Sequence, residues 1–224
     1  MAAVAVAALS ACASGNNFVS DVVGGLVTDQ FRDRPDPTLG VALNPDFRYL
    51  RVEVAGRPPA LLVLGYLDAH ADGEIEVWYT AEHEVIKTQN GRIVGTFGLE
   101  TDWRAVRLLP ALPPWAGEQA GPVQFQRLRD QMPGYRYSMT EQVESSSWPG
   151  VPPQGVSKVL VTVPREWKWF REVVVGGTEP VRLPPAWFAR GRWGGRDTVV
   201  YSEQCLSPDL CMRLMRWPLQ GQSG

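Results

Sequence analysis

Two histidines, a run of three serines and a scatter of acidic residues are the side chains that could do acid–base or nucleophilic chemistry in this sequence. His70 stands in Asp68-Ala69-His70-Ala71-Asp72 and His83 in Glu82-His83-Glu84. Along a strand, a Glu-His-Glu run sends its carboxylates to one face and the imidazole to the other. Neither histidine therefore reads as a metal or acid–base centre, and both read as ordinary exposed residues. Ser145-Ser146-Ser147 lacks the Gly-x-Ser-x-Gly turn of a hydrolase nucleophile and reads as a linker. Glu53, Glu74, Glu76 and Glu100 could supply a glycosidase carboxylate pair, but the sequence gives no separation between them. Gly191-Arg192-Trp193-Gly194-Gly195-Arg196 is glycine-rich without the Lys-Ser/Thr ending of a phosphate loop, and a hairpin turn explains it better. No catalytic, metal-binding or cofactor-binding residue is assigned.

The three cysteines carry more. Cys12 ends the run Leu9-Ser10-Ala11-Cys12, which matches the lipobox of bacterial lipoprotein signal peptides, with small residues before the cut and a sulfur to accept diacylglycerol. The uncharged stretch before it reads as an export signal, and Ala13-Ser14-Gly15-Asn16-Asn17 after it as a tether. The lack of Lys or Arg at the start departs from a signal peptide and suggests a start codon upstream of Met1. By similarity to lipoprotein sorting in Gram-negative bacteria, Ala13 after the cysteine favours the outer membrane. Export places the chain where disulfides persist. Cys205 and Cys211 flank Leu-Ser-Pro-Asp-Leu, whose Ser-Pro-Asp centre makes a turn that could join the sulfurs. A zinc site would need more ligands than lie nearby, so a local structural disulfide is expected.

Trp148, Trp167, Trp169, Trp187, Trp193 and Trp217 crowd the second half, interleaved with Arg165, Arg171, Arg190, Arg192 and Arg216. Sugar rings stack on indole faces and guanidinium groups bond hydroxyls, so Trp167, Trp169, Trp187, Trp193 and Arg192 form a candidate glycan or partner surface. Core or protein-interface use is the stronger reading, since Trp and Arg are also interface anchors.

The elements that must position these residues are short. The 224 residues contain 22 Gly and 19 Pro, a turn-heavy composition. Apolar residues at helical spacing predict a short helix within Asn17 to Phe31. Strands are predicted at Tyr49 to Val54, Ala60 to Tyr66 (a continuous apolar run expected to be fully buried), Ile75 to Thr80, Glu84 to Thr88 and Ile93 to Leu99. Others follow at Tyr135 to Glu144, Lys158 to Val163, Trp167 to Val175, Pro180 to Leu183, Asp197 to Glu203 and Met212 to Trp217. Asn90-Gly91 is the strongest hairpin signal, and Leu108 to Pro122 reads as a long loop. The expected fold is an all-β antiparallel sandwich or open barrel preceded by the short helix. Residues 1–11 are the expected signal peptide, 12–45 the lipidated tether and helix, and 46–224 a single β domain. With 22 Lys+Arg against 24 Asp+Glu, the chain lacks the basic excess of a nucleic-acid binder. No stretch approaches the ~20 apolar residues of a membrane-spanning helix.

Tyr49-Leu50-Arg51-Val52, Leu62-Val63-Leu64-Gly65-Tyr66, Trp78 and Thr88-Gln89-Asn90-Gly91-Arg92-Ile93 occur in an order and spacing that resembles the YjbF/GfcB family. These are lipoproteins encoded with group 4 capsule and related exopolysaccharide secretion genes. The resemblance is specific over about a quarter of the chain and looser at Val199 to Ser202 and Met212 to Trp217. Cys205, Cys211 and the tryptophan-dense region from Trp148 to Trp217 are not part of it. It implies an outer-membrane lipoprotein facing the periplasm, held by diacylglycerol and an acyl chain on Cys12. It also implies a non-enzymatic accessory role in capsule or exopolysaccharide production or export, beside periplasmic and outer-membrane export proteins and in contact with polysaccharide. The alternatives are a lipid- or glycan-binding carrier whose cavity is lined by Leu61 to Leu67, and a periplasmic glycan-modifying enzyme.

Overall fold

Asn90 and Gly91 take positive φ values of 48° and 79°, the backbone that a tight hairpin between right-twisted strands requires. They join β4 (Val85–Gln89) to β5 (Arg92–Phe97), and the rest of the fold repeats this antiparallel step. The computed structural model describes residues 35–111, 115 and 121–219. Its further strands are β1 (Tyr49–Val54), β2 (Ala60–Asp68), β3 (Ile75–Tyr79), β6 (Asp102–Leu109), β7 (Val123–Met132), β8 (Arg136–Trp148), β9 (Lys168–Gly177), β10 (Ala186–Trp193), β11 (Arg196–Ser207) and β12 (Leu210–Trp217). Cys12 and the expected helix within Asn17 to Phe31 lie outside the described residues.

Each strand pairs with its sequence neighbour except across one seam, and β1 pairs with β12, giving the order β5-β4-β3-β2-β1-β12-β11-β10-β9-β8-β7-β6. The result is a nearly closed, up-and-down barrel of twelve strands; of the two expected architectures, the sandwich is replaced by the barrel. The seam between β5 and β6 is held by side chains instead of a ladder. Thr96 Oγ1 donates to Asp102 Oδ1 at 3.0 Å, Gly98 N to Asp102 Oδ2 at 3.0 Å, and Trp103 N to Thr96 Oγ1 at 2.9 Å.

The barrel interior is filled. Leu50, Val52, Leu62, Trp78, Ile93, Trp103, Phe125, Val143, Leu206 and Leu214 meet in one buried cluster. Trp115, from the connection between β6 and β7, packs on Phe170 and Phe188 with ring centroids 5.1 and 4.8 Å away. Among the described residues, four arginine–glutamate ion pairs share this interior. Arg92 donates from Nε and Nη2 to Glu172 Oε1 at 2.9 and 2.7 Å. Arg127 and Arg129 both bond Glu141, at 2.7 and 3.1 Å, and Arg216 bonds Glu76 at 2.8 Å. Burial alone would raise the Glu141 carboxyl, but Arg127 and Arg129 outweigh it and hold the group below its ordinary range. Among the described residues, small interior spaces of about 10–30 Å³ each remain, the scale of one water molecule.

Several expectations change here. The run Ala60 to Tyr66 is not a fully buried strand: Leu62 is buried, while Tyr66 and Leu67 are exposed beyond the register shift at Gly65. Leu62 and Leu64 of this run join the packed interior, while Leu61 packs on the outer face of the barrel. Lys158 to Val163 and Pro180 to Leu183 form no strand. In their region β10, β11 and β12 already have neighbours on both edges, so an apolar segment can only lie across the sheet. Ser145 to Ser147 belong to β8 and are not a linker, with Ser145 fully buried. In the glycine-rich run only Gly194 and Gly195 turn, because Gly191, Arg192 and Trp193 continue β10. Strands β6, β7 and β10 were not expected from the sequence.

Candidate functional site

Alternation along the strands sorts the second half of the chain into two faces. On β12, Met212, Leu214 and Arg216 point inward while Arg213, Met215 and Trp217 point outward, and β11 and β10 follow in register. The outer face would leave Trp169, Tyr201, Met215 and Trp217 in water. Residues 149–167 prevent this by crossing it as a strap, with Val156, Val159, Leu160 and Val163 packed on those rings. Trp167 lies on β10 at Gly191, where any Cβ would sit 2.8 Å from the indole ring; glycine is required there by close approach.

The strap is pinned by hydrogen bonds. Ser157 N donates to Tyr201 Oη at 3.1 Å, and Ser157 Oγ donates to Glu53. Tyr201 Oη donates in turn to Glu203 Oε1 at 2.6 Å. Burial, with the Glu203 carboxylate alongside, pushes the Tyr201 phenol far above its ordinary range, so it remains a donor. A second crossing segment is pinned at Asp36 and Thr38. Arg51, itself buried, bonds Asp36 and Glu53 and donates from Nε to Thr38 Oγ1 at 2.7 Å. Burial would raise the Asp36 carboxyl, but its bonds from Thr38 and Arg51 outweigh that and lower it.

Beside the strap runs an open groove of about 920 Å³. Glu53, Arg213 and Glu203 lie along its floor, with Gln154 and Lys158 from the strap on one side and Pro184 and Pro185 on the other. Gln154 Nε2 donates to Glu203 Oε2 at 3.1 Å. Arg213 stands between the two carboxylates, 3.9 Å from Glu53 and 3.4 Å from Glu203. Trp187 closes one side and meets Trp148 edge-on, with centroids 5.1 Å apart. On the far side of that pair lies a second depression of about 480 Å³, with Trp148, Trp167 and Trp169 beside Arg165 and Lys168.

The sequence-predicted residues distribute unevenly over this surface. Cys205 and Cys211 form a disulfide, S–S 2.02 Å, directly across the β11–β12 hairpin, and both line the groove. Trp167 and Trp169 do lie together, 6.1 Å between centroids. However, Trp169 and Trp187 are only 4% and 5% exposed, which makes them chiefly core residues. Trp193 packs half-buried on the same cluster, while Arg192 is exposed at the β10–β11 turn and donates to Gly195 O at 3.3 Å. His70 occupies the β2–β3 turn, accepting from Asp72 N at 3.3 Å, and His83 the β3–β4 turn with φ 68°. The two histidines sit in separate turns. Glu76 faces the interior, Glu74 is exposed and Glu100 pairs with Arg57 at 3.0 Å, so of the four glutamates only Glu53 reaches the groove. Its companions Arg213, Glu203 and Gln154 were missed. Strand alternation put Arg213 on the face opposite Leu214, but nothing local tied it to Glu53, 160 positions away by number (213 − 53).

Comparison with known proteins assigns the chain. Among curated proteins none matches the sequence. The crystal structure of the hypothetical lipoprotein YmcC from Escherichia coli (K12) shares the fold with a TM-score of 0.57 at 16% identity, covering 79% of this chain and 89% of that one. A family model described as group 4 capsule polysaccharide lipoprotein GfcB, YjbF matches residues 43–176, from the segment before β1 to the end of β9. That match spans more than half of the sequence, and the chain belongs to the YjbF family of group 4 capsule polysaccharide lipoproteins.

Proposed function

We propose that the protein is a non-enzymatic accessory lipoprotein of capsule or exopolysaccharide production, fixed by lipid on Cys12 to the periplasmic face of the outer membrane. The family match supports the polysaccharide context, and Leu9-Ser10-Ala11-Cys12 supports the anchor. One acyl chain binds a bilayer only marginally, so the several chains of a mature lipoprotein are what would hold it there.

The observation that carries the reading is the filled interior. Among the described residues, the interior spaces of about 10–30 Å³ are too small for an acyl chain or a sugar, whereas the outer face holds a groove of about 920 Å³. The protein's work is therefore done on its outside, through the groove and the strap, toward a polymer or an export partner. Both groove carboxylates are engaged, Glu53 by Arg51 and Ser157 and Glu203 by Tyr201 and Gln154, an arrangement that suits binding better than proton transfer.

Cys12→Ser tests the anchor and the role together. The variant should appear in the soluble periplasmic fraction, and surface polysaccharide should fall in cells carrying it. A variant that stays with the membrane fraction removes the anchor; unchanged polymer output in cells lacking the protein removes the role.

A further inference from the structure

Antiparallel connection gathers alternate turns at one end of the barrel, so the turns after β1, β3, β5, β7, β9 and β11 share an end. Two of these, adjacent in the sheet, hold apolar side chains in water. Tyr135 in the β7–β8 turn and Tyr137 just after it are 72% and 63% exposed, and Val181 between β9 and β10 is 62% exposed. Arg136, between the two tyrosines, bonds Glu179, and Thr178 N donates to Thr140 O at 2.8 Å. These contacts join the two turns into one surface, on which Pro133, Pro180 and Arg182 are also exposed.

The backbone at this tip is unusual. Gly134, Tyr135 and Ser138 take φ values of 97°, 52° and 51°. A bulky side chain in the left-handed region is held against its own preference, where glycine would sit freely. With its ring in water, Tyr135 adds little to the core, so the conformation points to a use outside the fold.

The position of the chain start indicates what this surface meets. Asn44 N donates to Tyr49 Oη at 3.1 Å, at the start of β1. Thr38 and Asp36 bond Arg51 further along, and Asp36 lines the groove with Ala55 and Gly56 of the β1–β2 turn. Followed back from Asn44 to Asp36, the segment therefore runs toward the Tyr135 end. Residues 13–34, which separate Cys12 from the described chain, join it from that side.

The chemistry fits a bilayer surface. Tyrosine rings suit the layer between headgroups and acyl chains, where one edge is apolar and the other wet. Arg136 is matched by Glu179, and Asp130 accepts from Ser138 N at 2.7 Å. Arg182 has no ion-pair partner among the described residues and presents its guanidinium for a phosphate. Two turn tips are narrow beside the ~800 Å² per partner of a stable protein interface, whereas a fluid bilayer closes around any shape. Glu82, Glu100 and Asp209 stand exposed on other turns of this end, which confines the contact to its β7–β10 side.

We propose that the β7–β8 and β9–β10 turns rest on the phospholipid surface that carries the anchor. Tyr135, Tyr137 and Val181 enter the interfacial layer and Arg182 meets the phosphates. The inference rests on the lipid-anchor reading above and adds how the barrel is oriented beneath that anchor.

The test places the full lipidated chain on vesicles of phosphatidylethanolamine and phosphatidylglycerol. An NBD dye is attached through Tyr137→Cys, Val181→Cys or, as a control in the β2–β3 turn at the opposite end, Glu74→Cys. Lipids brominated near the headgroup should quench the dye at positions 137 and 181 at least twofold and leave it unchanged at 74. Tyr135→Ser with Arg182→Glu should remove half or more of the quenching at 181, and both residues are exposed, so the fold tolerates the changes. Absence of quenching at 137 and 181 in vesicle-bound chain overturns the proposal. So does equal quenching at 74, or shielding of position 137 only when a second copy or an isolated partner protein is added. The mass of the N-terminal peptide reads the lipid on Cys12 separately. Lipid without tip quenching refutes the contact and keeps the anchor; tip quenching without lipid does the reverse, and loss of both refutes both.

Discussion

The inner and outer faces of the same strands use arginine–glutamate pairs in opposite ways. Inside, Arg92 and Glu172 are 5% and 3% exposed, and the guanidinium stacks 3.8 Å over Trp115. Outside, Arg213 and Glu203 are 37% and 14% exposed and stand further apart. A buried charge loses its hydration, so its partner is indispensable. A half-exposed charge keeps water as an alternative and can exchange its partner for a ligand. The barrel therefore spends its inner ion pairs on structure and leaves its outer ones available, although both are written with the same residue types.

The sharpest way to break this contrast is Glu172→Ala, which strands Arg92 in the interior and should cost about 3–5 kcal/mol in urea unfolding. Opening the Cys205–Cys211 bridge with a Cys211→Ser variant comes next, at roughly 2–3 kcal/mol at most because the loop it closes is short. The intact wild-type chain should also gain two protons in mass on reduction. Acid distinguishes the faces further. Because the folded Glu141 carboxyl lies below its ordinary range, its contribution to stability is complete at neutral pH and is lost as pH falls through that range toward the depressed value. Glu141→Gln should flatten the acid limb of the stability curve below about pH 4. The smallest effect belongs to the outer pair, where Arg213→Ala should change stability by less than about 1 kcal/mol. If Arg213→Ala unfolds the protein as readily as Glu172→Ala, the division between the faces is wrong.

The two faces also differ in how plainly the sequence announces them. β1, with Leu50, Val52 and Val54 inward and Arg51 and Glu53 outward, shows the ordinary alternation and was legible. β7 reverses it: Phe125, Arg127 and Arg129 face the interior while Leu128 does not, so its charged core positions disguised a strand. Lys158 to Val163 misled in the other direction. Its apolar, β-branched residues suit a strand, yet they cover the outer face because no free sheet edge lies beside them. The tryptophans were read as a group, but burial separates Trp169 and Trp187 from Arg192, which is exposed.

What the sequence determined by itself was local: the Asn90-Gly91 turn, the alternation of strands such as β1, and the Cys205–Cys211 hairpin. These depend on residues a few positions apart, where φ preference, strand periodicity and short loops act directly. The groove floor of Glu53, Arg213 and Glu203 was decided only by the tertiary structure. Its members come from three strands, and β1 meets β12 only when the meander closes. No local rule relates residues 53 and 213; the lateral register of the closing barrel does, because it fixes which side chains stand opposite one another.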